Sequence, residues 1–226
     1  MTTDTAPAKF KPYTRQTISQ ARQWQWMPAD LQEAVQVVSH VLPFRANEYV
    51  MEQLIDWSNI PDDPIYRLVF PHRDMLHAGE YETLRDLVLF KKDDAAIAKQ
   101  VHAIRMRMNP HPAGQMTHNV PRVNDAPLKG LQHKYKETVL FFPSSGQTCH
   151  AYCTFCFRWP QFVGMDDMKF DARETTELVA YLKTHPDVTD VLITGGDPLI
   201  MNTRSLTEFI EPLLAPELAH IQNIRL

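Results

Sequence analysis

The chain has 226 residues, 44% of them hydrophobic and 22% charged, with a net charge of −4, which is ordinary for a folded domain or a domain with an appendage. The mild acidity removes the electrostatic case for a nucleic-acid partner. No run of about 18 apolar residues suggests a membrane span, and the polar start MTTDTAPAKFKPYTRQT lacks a signal-peptide core, so the expected compartment is the cytoplasm.

Residues 1–26 read as a polar, irregular arm with some helix. Residues 28–40 carry Leu31, Val35, Val37 and Val38 at near-helical spacing, with Pro28 in the first turn, and predict a helix. A second helix is predicted from Ala46, ending before Pro61, and one or two more within 80–104. Residues 1–108 are therefore expected to form a mostly helical N-terminal region, capping the next domain or mediating homo-oligomerisation. From 109 to 130, Pro110, Pro112, Pro121 and Pro127, with Gly114 and Gly130, mark a long connection.

The pattern then changes. Thr138 to Phe142 is a β-branched and aromatic run that predicts a buried strand, and 143–164 is a loop holding every cysteine. Asp171, with Glu174 three positions on, predicts a capped helix start, and Leu178, Val179 and Leu182 form its apolar face. Residues 191–194 predict a second strand. After it come Gly195-Gly196-Asp197-Pro198 and a helix over 204–214, where Ser205 and Glu208 repeat the capping pattern. Residues 221–226 predict a third strand. This alternation predicts an α/β domain of parallel βαβ units over 109–226. Three parallel strands alone leave open edges and an uncovered face. Leu226 is thus expected to lie within a longer protein, whose further βα units complete a full or partial barrel.

Cys149, Cys153 and Cys156 are the only cysteines and fall within eight residues. A disulfide framework uses an even, dispersed set in a small secreted chain, so three clustered thiols point to metal. Thiolates hold iron–sulfur clusters, and three on one loop leave the fourth iron of a cubane open for a ligand. Zinc on the three thiols with His150 or His133 is the competing reading, although only Cys153 and Cys156 have the C-x-x-C spacing of a zinc knuckle. A non-catalytic zinc or iron–sulfur binding module is the corresponding alternative function, and chance clustering of structural thiols is the remaining reading. The other histidines, His111 and His118 among them, show no metal spacing. In the second motif, Gly195 and Gly196 permit close backbone approach and Asp197 can accept from an ammonium group; the alternative is a plain strand-to-helix turn.

The C-x-x-x-C-x-x-C spacing after the first strand of a βα series, with Phe155 before the last cysteine, resembles the radical S-adenosylmethionine superfamily. The resemblance implies a partial (β/α) barrel of that type, of which the chain would hold the first three strands. It also implies a [4Fe–4S] cluster on Cys149, Cys153 and Cys156 whose open iron chelates S-adenosylmethionine. Reductive cleavage there gives methionine and a 5′-deoxyadenosyl radical that abstracts hydrogen from an unactivated carbon, with electrons from a donor such as flavodoxin or ferredoxin. Phe155, Gly195, Gly196 and Asp197 would contact S-adenosylmethionine.

Residues 130–135, the cysteine loop and 190–199 resemble more closely the lysine 2,3-aminomutase branch, over roughly 105–226. That resemblance implies an isomerase moving an amino group on an amino-acid-like substrate. Arg158, two places after the last cysteine, would bind the substrate carboxylate; a structural ion pair is its alternative role. Pyridoxal phosphate would be held in part by Lys134 and Tyr135, with the imine-forming lysine expected beyond residue 226. Three features depart from the branch: Thr138 replaces an arginine, Trp159-Pro160 follows Arg158 where the branch has further arginines, and the Pro-Ser-Ser-Gly-Gln-Thr stretch before Cys149 is longer. A radical enzyme of the same lineage that lacks pyridoxal phosphate and acts on another substrate is the alternative.

Overall fold

The computed structural model describes residues 11–108, 117–165 and 169–226. Pro110, His111, Pro112 and Gly114 lie outside these residues. The chain divides into two compact units. One comprises 1–108 together with 150–156, the other 109–149 together with 157–226.

In the first unit, strand β1 (Pro12–Thr14) pairs antiparallel with β2 (Arg45–Asn47). Helix α1 (Ala29–Val38) forms where the apolar spacing predicts it and buries Val35, Val37 and Val38 completely. The helix expected from Ala46 does not start there. Ala46 is buried in β2, and the Asn47 side chain accepts the Val50 N–H at 2.9 Å, so helical backbone begins only afterwards, as a wide turn over Val50–Leu54. Helix α2 (Pro64–Val69) was not anticipated. Its start is well specified: Pro64 fills the first turn, and the Asp63 carboxylate accepts the Tyr66 N–H at 2.7 Å. Tyr66 and Phe70, four residues apart, stack with ring centroids 4.6 Å apart, and the Trp57 ring stands edge-on to Phe70 at 5.7 Å. Helices α3 (Ala78–Arg85) and α4 (Asp94–Met108) follow.

His40 sits at the end of α1's exit turn. Burial, reinforced by the Arg15 and Arg105 guanidinium groups, pushes its imidazole down to about 4. The fold thus favours the neutral ring. This stabilising preference is complete above the ordinary value of about 6.5 and is lost as pH falls toward about 4, because the unfolded chain takes up the proton first. The unfolding midpoint should drop across that window, and His40→Gln should flatten the drop; an unchanged profile would contradict the assignment.

In the second unit, β3 (Arg122–Val123) and β4 (Ala126–Pro127) form a small hairpin. The main sheet has four strands in the order β5 (Leu131–Tyr135), β6 (Thr138–Phe141), β7 (Asp190–Ile193), β8 (Asn223–Arg225). The three expected strands β6, β7 and β8 are parallel, in register Val139↔Val191↔Ile224. β5 adds an antiparallel edge that the polar sequence Leu-Gln-His-Lys-Tyr did not announce. Helix α5 (Thr176–Lys183) lies on the β6-to-β7 connection and α6 (Thr203–Ile210) on the β7-to-β8 connection. Leu178 and Leu182 of α5 and Phe209 of α6 share one core with Val139, Phe141, Val191 and Ile193. The architecture is mixed α/β, and the sheet does not close into a barrel among the described residues.

Both predicted capping boxes fail. Ala172 pairs with Pro143 in an extended bridge, and helix starts only at Thr176, leaving Asp171 and Glu174 outside it. For α6 the cap is Asn202, whose Oδ1 accepts the Ser205 N–H at 2.9 Å, while Glu208 pairs with Arg204.

At the amino-terminal end of the parallel strands, buried Asp190 accepts from Thr138 Oγ1 at 2.9 Å and from Arg225 Nε at 2.8 Å. The Arg225 hydrogen bond is the main cause that holds its carboxyl below the usual range. Asp190→Ala should cost about 1–2 kcal/mol at neutral pH, the loss of charged hydrogen bonds discounted for an exposed arginine. A depressed carboxylate stabilises fully above its unfolded value, so this contribution should shrink as pH falls from about 4 through the depressed value of the folded state. Chemical unfolding of the variant at pH 7 and pH 3 checks both statements.

Candidate functional site

The cysteine loop is pinned through its backbone. Residues 150–156 belong to the first unit, where Ala151 packs against the aromatic core. The Tyr152 N–H donates to Arg45 O at 3.0 Å. Helix α2 ends at Val69, so its last carbonyls lack helical partners. Thr154 supplies them: its N–H donates to Leu68 O at 2.7 Å and its Oγ1 to Arg67 O at 2.9 Å. The Cys156 N–H closes a tight turn onto Cys153 O at 3.1 Å. Cys153 is exposed and Cys156 half-buried; the Phe155 ring between them is 77% exposed, an unusual setting for a large apolar group.

In the second unit, the segment leading to Cys149 is laced to the glycine motif. Both lie at the carboxyl ends of adjacent parallel strands, where α/β folds build sites. The Gly196 N–H donates to Gly146 O at 3.2 Å and the Asp197 N–H to Thr148 O at 2.7 Å. Gly195 has φ +131°, a backbone that side-chain-bearing residues rarely adopt. A Cβ on Gly196 would stand 2.2 Å from Thr148 O, so glycine is required there by close approach. The Asp197 carboxylate accepts the Leu199 N–H at 3.0 Å and caps a short turn over Pro198–Ile200.

Arg158 is buried, with only 6% of its surface exposed. Its guanidinium lies 4.0 Å from the Phe142 ring centroid and donates to Gln147 Oε1 at 3.2 Å and Phe170 O at 3.5 Å. Sequence reasoning missed Gln147 and Thr154: Thr154 acts on the remote carbonyls of Arg67 and Leu68, and Gln147 spans Pro143 O, four residues back, and the remote Thr194 O; the only available signal was a polar side chain beside the cysteine loop. Lys134 and Tyr135 end β5, with Lys134 Nζ 5.4 Å from the Tyr135 ring, which is itself 59% exposed. His133, the alternative zinc ligand, has both ring nitrogens engaged: Nδ1 with Tyr181 Oη at 2.7 Å and Nε2 with Lys136 O at 3.2 Å.

The donor chemistry fits an iron–sulfur cluster: three thiols outside any disulfide, each at least partly accessible, on a loop without regular secondary structure. Among the described residues no group of three or more His, Cys, Asp or Glu side chains is gathered as a ready-made metal site. The case for the cluster therefore rests on the thiols' chemistry and their loop. No helix of the described residues is long and apolar enough to cross a membrane.

No family model matches the chain. Individual proteins do. A putative L-lysine 2,3-aminomutase of Aquifex aeolicus (strain VF5) is 31% identical over 200 residues, covering 88% of this chain and 42% of that protein. The L-lysine 2,3-aminomutase of Acetoanaerobium sticklandii is 34% identical over 102 residues, 45% of this chain and 23% of that protein. That of Bacillus subtilis (strain 168) is 32% identical over 102 residues, 45% of this chain and 21% of that protein. The chain thus spans less than half the length of these curated relatives. It is a relative of the lysine 2,3-aminomutases, the branch that its cysteine and Gly-Gly-Asp motifs resemble.

Proposed function

We propose that the chain is the cofactor-loading part of a radical S-adenosylmethionine enzyme, with Cys149, Cys153 and Cys156 holding a [4Fe–4S] cluster in the first portion of a (β/α) barrel. The observation that carries the reading is the pair of hydrogen bonds, Asp197 N–H to Thr148 O and Gly196 N–H to Gly146 O, joining the Gly-Gly-Asp loop to the residues just before Cys149. When bound, such a cluster supplies the electron that cleaves S-adenosylmethionine into methionine and a hydrogen-abstracting 5′-deoxyadenosyl radical. The chain's own residues then have separable tasks. The thiolates bind iron, Gly195 and Gly196 let this loop pack closely against Gln147 and Thr148 while presenting its backbone to the cofactor, and Asp197 receives the cofactor's ammonium group. Phe155 offers an exposed ring to cover it and exclude water.

The likeness to proteins named lysine 2,3-aminomutase supports amino-group migration on an amino acid as the reaction of the whole protein, with pyridoxal phosphate as second cofactor and a flavodoxin- or ferredoxin-type electron donor. A second reading, a radical enzyme without pyridoxal phosphate, is favoured by one observation: Lys134 sits over the Tyr135 ring, where its charge is already engaged. Anaerobic incubation of the protein with pyridoxal phosphate and amino acids separates the two. A bound imine chromophore and exchange of amino position support the first reading, and their absence beside S-adenosylmethionine cleavage supports the second.

A further inference from the structure

We propose that Arg158 and Gln147 form a lock that fixes the Gly195 turn in the shape that receives S-adenosylmethionine, which makes Arg158 a positioning residue acting through Gln147. The inference rests on the cofactor reading given above. Gln147 lies in the Pro-Ser-Ser-Gly-Gln-Thr stretch that the resemblance to the aminomutases does not account for. Its amide lies flat against the Gly195 backbone: a Cβ built there would meet Nε2 at 2.1 Å, Oε1 at 2.7 Å and Cδ at 2.8 Å. A glutamine amide would ordinarily swing aside. This one is held at both ends. Its Oε1 accepts from the Arg158 guanidinium at 3.2 Å, while Nε2 donates to Pro143 O at 2.9 Å and, more weakly, to Thr194 O at 3.5 Å.

Pro143 follows the end of β6 and Thr194 the end of β7, so one side chain bridges the exits of two adjacent strands. Arg158 is fixed in turn by the Phe142 ring and Phe170 O. The Phe142 N–H is tied to Gly130 O at 2.9 Å and the Phe170 N–H to Gln161 Oε1 at 2.7 Å. The planar guanidinium suits this place because it can lie over a ring and still donate in its own plane. The lock thus connects the chain just after the last cysteine, the chain just before the first, and the glycine motif.

The test uses the anaerobically reconstituted protein and two readouts, iron content and the dissociation constant for S-adenosylmethionine from equilibrium dialysis. Gln147→Met keeps the volume and removes all three amide hydrogen bonds. Arg158→Met removes the guanidinium, and Arg158→Lys keeps a cation and one donor. Gln147→Met and Arg158→Met are expected to bind iron as the unsubstituted protein does and to bind S-adenosylmethionine about tenfold or more weakly, the usual scale for losing a partner that orients a binding group. Arg158→Lys should recover part of that loss. Unchanged S-adenosylmethionine affinity in both methionine variants would overturn the lock while leaving the cofactor reading standing. Parallel loss of iron and S-adenosylmethionine in every variant would also overturn it, since the pair would then serve folding at large. Failure of the unsubstituted protein to bind S-adenosylmethionine would remove the cofactor reading and the lock together.

Discussion

Gly196→Ala is expected to lower the unfolding free energy by about 3 kcal/mol, the upper end of the usual cost of overpacking, and to abolish S-adenosylmethionine binding. The added methyl would meet Thr148 O at 2.2 Å, Thr148 N at 2.5 Å and Gly146 O at 2.6 Å. All three are backbone atoms, so no rotamer change relieves the collision. The segment before Cys149 and the Gly-Gly-Asp loop must separate, which breaks the Gly196–Gly146 and Asp197–Thr148 hydrogen bonds as well. For a chain of this size the loss corresponds to a fall in Tm of about 6–12 °C. Gly79→Ala is the control. Gly79 lies in α3 with nothing within 4 Å of a new Cβ, so alanine there should raise stability by about 0.5–1 kcal/mol through helix propensity and a less flexible unfolded chain. Thermal unfolding of both variants decides the matter; equal Tm values would show that the close approach at Gly196 is not real.

The second large effect concerns the thiols. Cys149→Ser, Cys153→Ser and Cys156→Ser are each expected to abolish cluster assembly, because a hydroxyl is a far poorer ligand for iron than a thiolate. The metal-free protein should hardly notice the exposed Cys153 position, where a surface substitution stays within about ±0.5 kcal/mol. The pairing of complete iron loss with near-unchanged apo stability is the signature of a ligand; structural cysteines would show the reverse. Iron analysis after anaerobic reconstitution, beside chemical unfolding of the metal-free variants, measures both halves. Substantial iron retained in any one variant would remove that cysteine from the ligand set.

Much of the fold was legible because burial imposes periodicity. The Val35, Val37 and Val38 stripe announced α1, and the β-branched and aromatic run from Thr138 to Phe142 announced β6, which buries Val139 and Phe141. Where the reading failed, a long-range partner had overridden a local pattern. Asp171 and Glu174 have capping-box spacing, yet the Pro143–Ala172 bridge holds that stretch extended. Ala46 opens a run of good helix formers, yet pairing of β2 with β1 claims it. Helix α2 has only six residues, too short for periodicity, and is fixed by its Asp63 cap and by Thr154 reaching back across 87 positions. The candidate site divides in the same way. Cysteines and paired glycines carry chemistry in their identity. Gln147 and Thr154 act only through geometry, Thr154 on a carbonyl 87 positions away and Gln147 by spanning Pro143 O and the distant Thr194 O.

The measurement that bears most directly on the central claim is the metal content and electron paramagnetic resonance spectrum of the anaerobically reconstituted, reduced protein, with and without S-adenosylmethionine. A brown protein holding about four irons and four sulfides per chain, whose reduced-cluster signal changes when S-adenosylmethionine is added, is the expected result for a cubane with one open iron. A colourless protein holding one zinc per chain, with no cluster signal in either condition, would contradict it.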